Sequence, residues 1–105
     1  MTVQEKIRNQ VTENSVVLYM KGTPQFPQCG FSGATVQILK ACELQDFVAV
    51  NVLDDPEIRD GIKAYSNWPT IPQLYIKGEF VGGADIVRDM HQQGELQKLI
   101  NAAIA

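Results

Sequence analysis

The sequence predicts an α/β domain in which a central four-stranded mixed sheet is flanked by helices. Three observations carry that expectation. Two apolar runs, Val16-Val17-Leu18-Tyr19-Met20 and Phe47-Val48-Ala49-Val50-Asn51-Val52, read as strands covered on both faces. A stretch of helical periodicity from Phe31 to Cys42 lies between them, which implies a right-handed crossover and parallel pairing. The segment Gln73 to Val81, with Lys77-Gly78 at its centre, reads as an antiparallel hairpin and makes the sheet mixed.

Each element has a local reason. Thr2-Val3-Gln4-Glu5 has capping-box spacing, and Val3, Ile7 and Val11 repeat on one face, so a first helix should end near Asn14. The second helix places Phe31, Ala34, Ile38, Leu39 and Cys42 on one apolar face. Asp54-Asp55-Pro56-Glu57 starts a third, with an acidic cap, proline at the first position and an acid in the first turn. That helix should turn Ile58, Ile62 and Tyr65 inward and Arg59 and Lys63 outward, and Asn67-Trp68-Pro69-Thr70-Ile71-Pro72 breaks it. After the hairpin, Gly82-Gly83-Ala84-Asp85 leads into a helix carrying Ile86, Val87 and Met90. Gly94 then separates it from a last amphipathic stretch with Leu96, Leu99, Ile100 and Ile104. No repeat, linker or low-complexity segment interrupts the 105 residues, which fit one domain over 1–105.

Composition excludes several classes of function. A net charge of −3 and a pI near 5.0 give no reason to expect nucleic acid. No apolar run approaches the roughly 18 residues of a membrane span. The N-terminus mixes Val3, Glu5, Lys6, Ile7 and Arg8, which is not a signal-peptide core. Two cysteines in such a chain point to reduced thiols and a cytoplasmic location.

The chemistry concentrates at Cys29, which falls where the first strand has ended and the second helix is about to begin. The first N–H groups of a helix lack intrahelical acceptors and favour an anion. With a lysine such as Lys21 nearby, a cysteine there can titrate in the range ~3.5–7.5. The blander alternative is a small buried hydrophobe; Pro27, Gln28 and Gly30 build a loop and argue against it. Cys42 lies about thirteen helical residues away, roughly 20 Å, too far for a disulfide or a shared metal, and reads as core. Other residues have equally plain alternatives. Arg59 and Lys63 read as a solvated face, Trp68 and Phe31 as core aromatics, Asp85 as a helix cap and His91 as structural. The Gly82-Gly83 pair at a helix entry suggests close backbone approach or positive φ, both useful for gripping a ligand.

A parallel βαβ unit, then a hairpin and helix, with a reactive cysteine after the first strand, describes a thioredoxin-like domain. Cys29-Gly30-Phe31-Ser32, Trp68-Pro69-Thr70-Ile71-Pro72 and Gly82-Gly83-Ala84-Asp85 resemble the monothiol glutaredoxins with a CGFS active site. Lys21-Gly22-Thr23-Pro24 and the long loop before Cys29 are similar to that family too, and the resemblance covers essentially the whole chain in order.

The resemblance implies a glutathione site. Lys21 and Arg59, with help near Lys63, would hold the glycyl carboxylate; Thr70, Ile71 and Pro72, the expected cis-proline, would pair with the cysteinyl backbone. Gly83, Ala84 and Asp85 would hold the γ-glutamyl end. Many relatives carry serine or cysteine where this chain has Ala84, which removes a side-chain contact but leaves the backbone N–H groups. Ser32 stands where dithiol relatives carry a resolving cysteine, so a two-cysteine exchange is unavailable. Two chemistries remain for Cys29: attack on a glutathione mixed disulfide, or ligation of iron. A [2Fe–2S] cluster takes four thiolate or equivalent ligands, and the family implies one cluster per homodimer, with two Cys29 thiolates and two glutathiones. The implied role is a carrier that delivers the cluster to apo iron–sulfur acceptor proteins, with at most weak oxidoreductase activity. The alternatives are a deglutathionylating enzyme and an adaptor that pairs with a BolA-like protein.

Overall fold

The computed structural model describes residues 1–104. In chain order these form α1 (Val3–Glu13), β1 (Val16–Met20), α2 (Gly30–Ala41), β2 (Val48–Asn51), α3 (Pro56–Ser66), β3 (Gln73–Ile76), β4 (Glu79–Gly82), α4 (Ala84–Gln92) and α5 (Glu95–Ile104). The strands make one mixed sheet in the order β2-β1-β3-β4. β1 and β2 are parallel, with Met20 opposite Asn51; β3 runs antiparallel to β1, with Tyr19 opposite Gln73. β4 runs antiparallel to β3, with Leu74 opposite Gly82. This is the thioredoxin-like arrangement that the sequence predicts.

Strand β1 is apolar throughout because both faces of the sheet are covered. Side chains alternate across a strand. Val16, Leu18 and Met20 therefore enter one core with Val36 and Leu39 of α2, Val87 of α4, and Leu96 and Ile100 of α5. Val17 and Tyr19 enter the other, with Ile7 and Val11 of α1 and Ile58 and Ile62 of α3. The caps act as the sequence predicts. The Thr2 hydroxyl accepts from the Glu5 N–H, and Asp55 accepts from the Glu57 and Ile58 N–H groups behind Pro56. Lys77 and Gly78 both have positive φ (53° and 81°), as a two-residue hairpin turn requires.

Three expectations need correction. β2 is an edge strand, half-buried with Val48 exposed, because apolar content alone does not distinguish an edge from a centre. The buried face of α2 is Ser32, Thr35, Val36 and Leu39, whereas Phe31 is 64% exposed, Ala34 is exposed and Ile38 is half-buried. Phe31 and Trp68 are therefore not core aromatics; Trp68 is 37% exposed. The helix turned by about one residue from its apolar pattern because its buried stripe begins with the two hydroxyls Ser32 and Thr35.

Pairing directions bring the loops together. β1 and β2 end, β3 begins and β4 ends at the same end of the sheet. Lys21, the turn after Asn51, Pro72 and Gly83 thus emerge side by side from positions far apart in sequence.

Candidate functional site

Cys29 occupies the N-cap of α2, with φ −149° and ψ 135°, and its side chain is half-buried. The loop leading to it is held by its own backbone. Gln28 N–H donates to Lys21 O at 2.9 Å, and Thr23 and Phe26 exchange hydrogen bonds at 3.1 and 3.2 Å. Gly22 sits at φ +88°, where a Cβ would lie 2.5 Å from Phe26 O and 2.6 Å from Gln28 N, so only glycine fits. Two polar side chains, one buried and one half-buried, fasten this loop to the rest of the protein. Lys21 N–H donates to the fully buried Ser32 Oγ at 3.1 Å, and Gly22 N–H donates to Asn51 Oδ1 at 2.9 Å.

The thiol of Cys29 is acidic relative to an ordinary cysteine. The Ser32 backbone N–H is the main cause; burial opposes it, and the Phe31 N–H, the Lys21 ammonium and the Ser32 hydroxyl add to it. None of these groups closes a full capping hydrogen bond onto the sulfur. Their effect is the electrostatic one of a helix N-terminus on a nearby anion. Cys42 is the opposite case. It lies at the C-cap of the same helix, 2% exposed, and burial pushes its thiol up. Both cysteines are free.

A cavity of about 290 Å³ opens at the first turn of α2, where Phe31 lines it; Cys29 itself, two residues earlier, does not. Thr70, Ile71, Pro72, Gly83, Ala84 and Asp85 all line it, together with Phe31, Trp68 and Ile86. The Ile71–Pro72 bond is cis. Both members of the glycine pair approach their neighbours closely: a Cβ on Gly82, at φ +157°, would lie 2.7 Å from the Ile86 side chain, and one on Gly83 would meet Trp68 Nε1 at 3.1 Å and Pro72 O at 3.4 Å. Asp85 does not cap α4, whose N-cap is Gly83. Its carboxylate is exposed in the first turn, 3.6 Å from Arg88 Nη1. A larger depression of about 770 Å³ opens between Pro24 and the Lys40–Phe47 region; Cys29 lines neither, and only the smaller cavity includes a residue of the first turn of α2, Phe31.

The cations take separate places. Lys21 follows β1 and acts on the Cys29 sulfur, whereas Arg59 and Lys63 lie half-buried on α3; none of the three lines the cavity. None of the three forms an ion pair among the described residues, which leaves their charge available to an anion.

Sequence reasoning passed over the fastening roles of three polar side chains. Ser32, Asn51 and Gln73 are polar positions inside or beside apolar runs, and that misfit was the signal available. Gln73 is fully buried; its Nε2 donates to Trp68 O at 3.1 Å and Thr70 O at 3.2 Å, and its Oε1 accepts from Tyr75 OH at 3.1 Å. His91 Nδ1 lies 3.6 Å from the Cys42 sulfur, a contact between helices that no local pattern announces.

Comparison with known proteins agrees with this geometry. The family model described as Glutaredoxin matches residues 16–81. Glutaredoxin 4 of Escherichia coli (strain K12) is 52% identical over 104 residues, covering 99% of this chain and 90% of that protein. A mitochondrial monothiol glutaredoxin-5 of Lachancea kluyveri is 53% identical, covering 97% and 73%. Reduced poplar apo GrxS14 superimposes with a TM-score of 0.83 at 49% identity, covering 97% and 93%. A buckwheat glutaredoxin–glutathione complex shares the fold at 19% identity, with a TM-score of 0.85 and 98% and 91% coverage.

Proposed function

The chain belongs to the glutaredoxin family, as one of its monothiol members, and from that premise we propose that it is a glutathione-dependent carrier of [2Fe–2S] clusters. In this reading the cluster is cargo, held between two copies of the chain and passed to apo iron–sulfur acceptor proteins. The observation that carries it is the chemistry of Cys29: a half-exposed, acidic thiol at the N-terminus of a helix whose Phe31 lines a cavity, with Ser32 where a second thiol would stand.

The donor set suits such a cargo only if ligands come from elsewhere. A [2Fe–2S] cluster takes four thiolate or equivalent ligands. Among the described residues no three His, Cys, Asp or Glu side chains cluster, and Cys42 is buried at the far end of α2. Each chain therefore offers one sulfur, and two chains with two glutathiones complete the set. Glutathione itself is bound in the buckwheat relative. Here its glycyl carboxylate would meet Lys21 and Arg59, its cysteinyl backbone the Thr70–Pro72 segment, and its γ-glutamyl end Gly83, Ala84 and Asp85. Exposed Phe26 (75%), Phe31 (64%), Trp68 (37%) and Ile86 (38%) give a second chain, or a BolA-like protein, apolar surface to cover. Two free thiols suit a reducing compartment such as the cytoplasm. No helix of the described residues is long and apolar enough to cross a membrane.

The same acidic thiol favours a second reading, protein deglutathionylation. The Cys29 thiolate would attack the glutathione sulfur of a mixed disulfide, releasing the protein thiolate and forming a Cys29–glutathione disulfide. A second glutathione thiolate would then free Cys29 and leave as glutathione disulfide.

Reconstitution with iron, sulfide and glutathione, read by visible spectrum and gel filtration, separates the two. A coloured dimer that bleaches when glutathione is removed supports the carrier. A colourless monomer that reduces a glutathione mixed disulfide moves the assignment to the enzyme.

A further inference from the structure

Gln73 is the one fully buried amide of the sheet, and its hydrogen-bonding capacity is spent in a single direction. Two carbonyls, Trp68 O at 3.1 Å and Thr70 O at 3.2 Å, converge on Nε2, and carbonyls only accept. That fixes the amide orientation: the nitrogen must face the loop and the oxygen must face Tyr75 OH, at 3.1 Å. Among the described residues no side-chain nitrogen or oxygen in the interior lacks a partner, so this arrangement is complete.

Its consequence lies on the other side of the peptide. The Thr70–Ile71 bond is trans, the cis bond being Ile71–Pro72. In a trans peptide the carbonyl and the N–H point in opposite directions. With Thr70 C=O drawn inward onto Gln73, Ile71 N–H faces outward. It has no acceptor among the described residues, and Ile71 lines the same cavity as Phe31 of the α2 first turn that Cys29 caps.

We propose that Gln73 is a positioning residue that turns the Ile71 N–H into the cavity and holds it there for the backbone of glutathione. The proposal rests on reading the cavity as a glutathione site. Gln73 touches no ligand; it acts through the orientation of the Thr70–Ile71 peptide. Without it, that peptide is free to rotate toward water, and each glutathione bound must order it again.

The test is the mixed-disulfide equilibrium of Cys29 in glutathione and glutathione disulfide, read by mass spectrometry for the natural chain and Gln73→Met. The Cys29 thiolate attacks one sulfur of glutathione disulfide, the Cys29–glutathione disulfide forms, and one glutathione thiolate leaves. Gln73→Met keeps length and loses both donors, so the equilibrium constant should fall roughly tenfold, the scale of about one charge-free hydrogen bond. Alkylation of Cys29 by iodoacetamide, which uses no glutathione contact, should stay near its original rate. Equal equilibrium constants in the two proteins would overturn the proposal. A natural chain that alkylates readily but forms no mixed disulfide would instead remove the glutathione site itself, and the proposal with it. Should Gln73→Met not fold, the side-chain NH2 resonances of Gln73 in the natural chain provide the second measurement. They should shift when Cys29 is glutathionylated, and unmoved signals would overturn the proposal.

Discussion

At Cys29 the charge on sulfur is set by position more than by neighbours of opposite sign. The Ser32 amide leads, and Lys21 contributes less. The alkylation rate of Cys29 should therefore half-saturate at a pH below that of a free cysteine, and Lys21→Gln should raise that pH only modestly. Stability follows with a definite sign. The folded-state pKa is depressed, so between it and the unfolded value the unfolded chain binds more protons and stability rises with pH. The contribution is complete above the unfolded pKa and fades as pH falls through the folded one. Cys29→Ser should abolish this slope and cluster binding together while the protein still folds, since the side chain is only half-buried. Full iron content in that variant would refute the ligand assignment. Cys42 carries the opposite sign, its raised pKa costing stability as pH climbs. Cys42→Ala should cost on the order of 1 kcal/mol by thermal or denaturant unfolding and leave cluster binding in place.

At the scale of elements, what matters is how the Lys21–Gln28 loop is pinned between β1 and α2. Ser32 is buried and accepts from Lys21 N–H at 3.1 Å. Removing that hydroxyl leaves a donor without its partner, so Ser32→Ala should destabilise by ~1–3 kcal/mol and move the Cys29 pKa upward. Unfolding curves together with a pH–alkylation profile measure both; an unchanged profile would confine Ser32 to stability. Gly22→Ala should be costlier than a typical surface change. Its φ of +88° alone costs an L-residue ~1–2 kcal/mol, and its Cβ would overlap Phe26 O at 2.5 Å. Much of this level could be read from sequence. Thr2, Asp55-Pro56 and Lys77-Gly78 signal caps and a turn by local chemistry, and the structure places them so. The face of α2 could not, because Phe31 and Ile38 look as apolar on paper as Val36 and Leu39, and only packing against β1 distinguishes them.

For the whole molecule, the proposed cluster loading depends on a ligand set that one chain leaves incomplete. If cluster loading needs two chains and two glutathiones, dialysis against glutathione-free buffer should bleach the loaded protein and return it to monomer in step. Gel filtration with absorbance detection follows both; colour retained in a glutathione-free monomer would rule out the shared-ligand arrangement. The order of helices and strands, the thiol at a helix start, the glycine pair and the hairpin were all determined by the sequence, because each depends on residues within a turn or two of one another. Tertiary structure alone decided that β2 is an edge, that Asp85 does not cap α4, and that Gln73 reaches the Trp68 and Thr70 carbonyls. The reason is physical: strand direction gathers four loops at one end of the sheet, and contacts between them follow from pairing and packing across the chain, which no local propensity encodes.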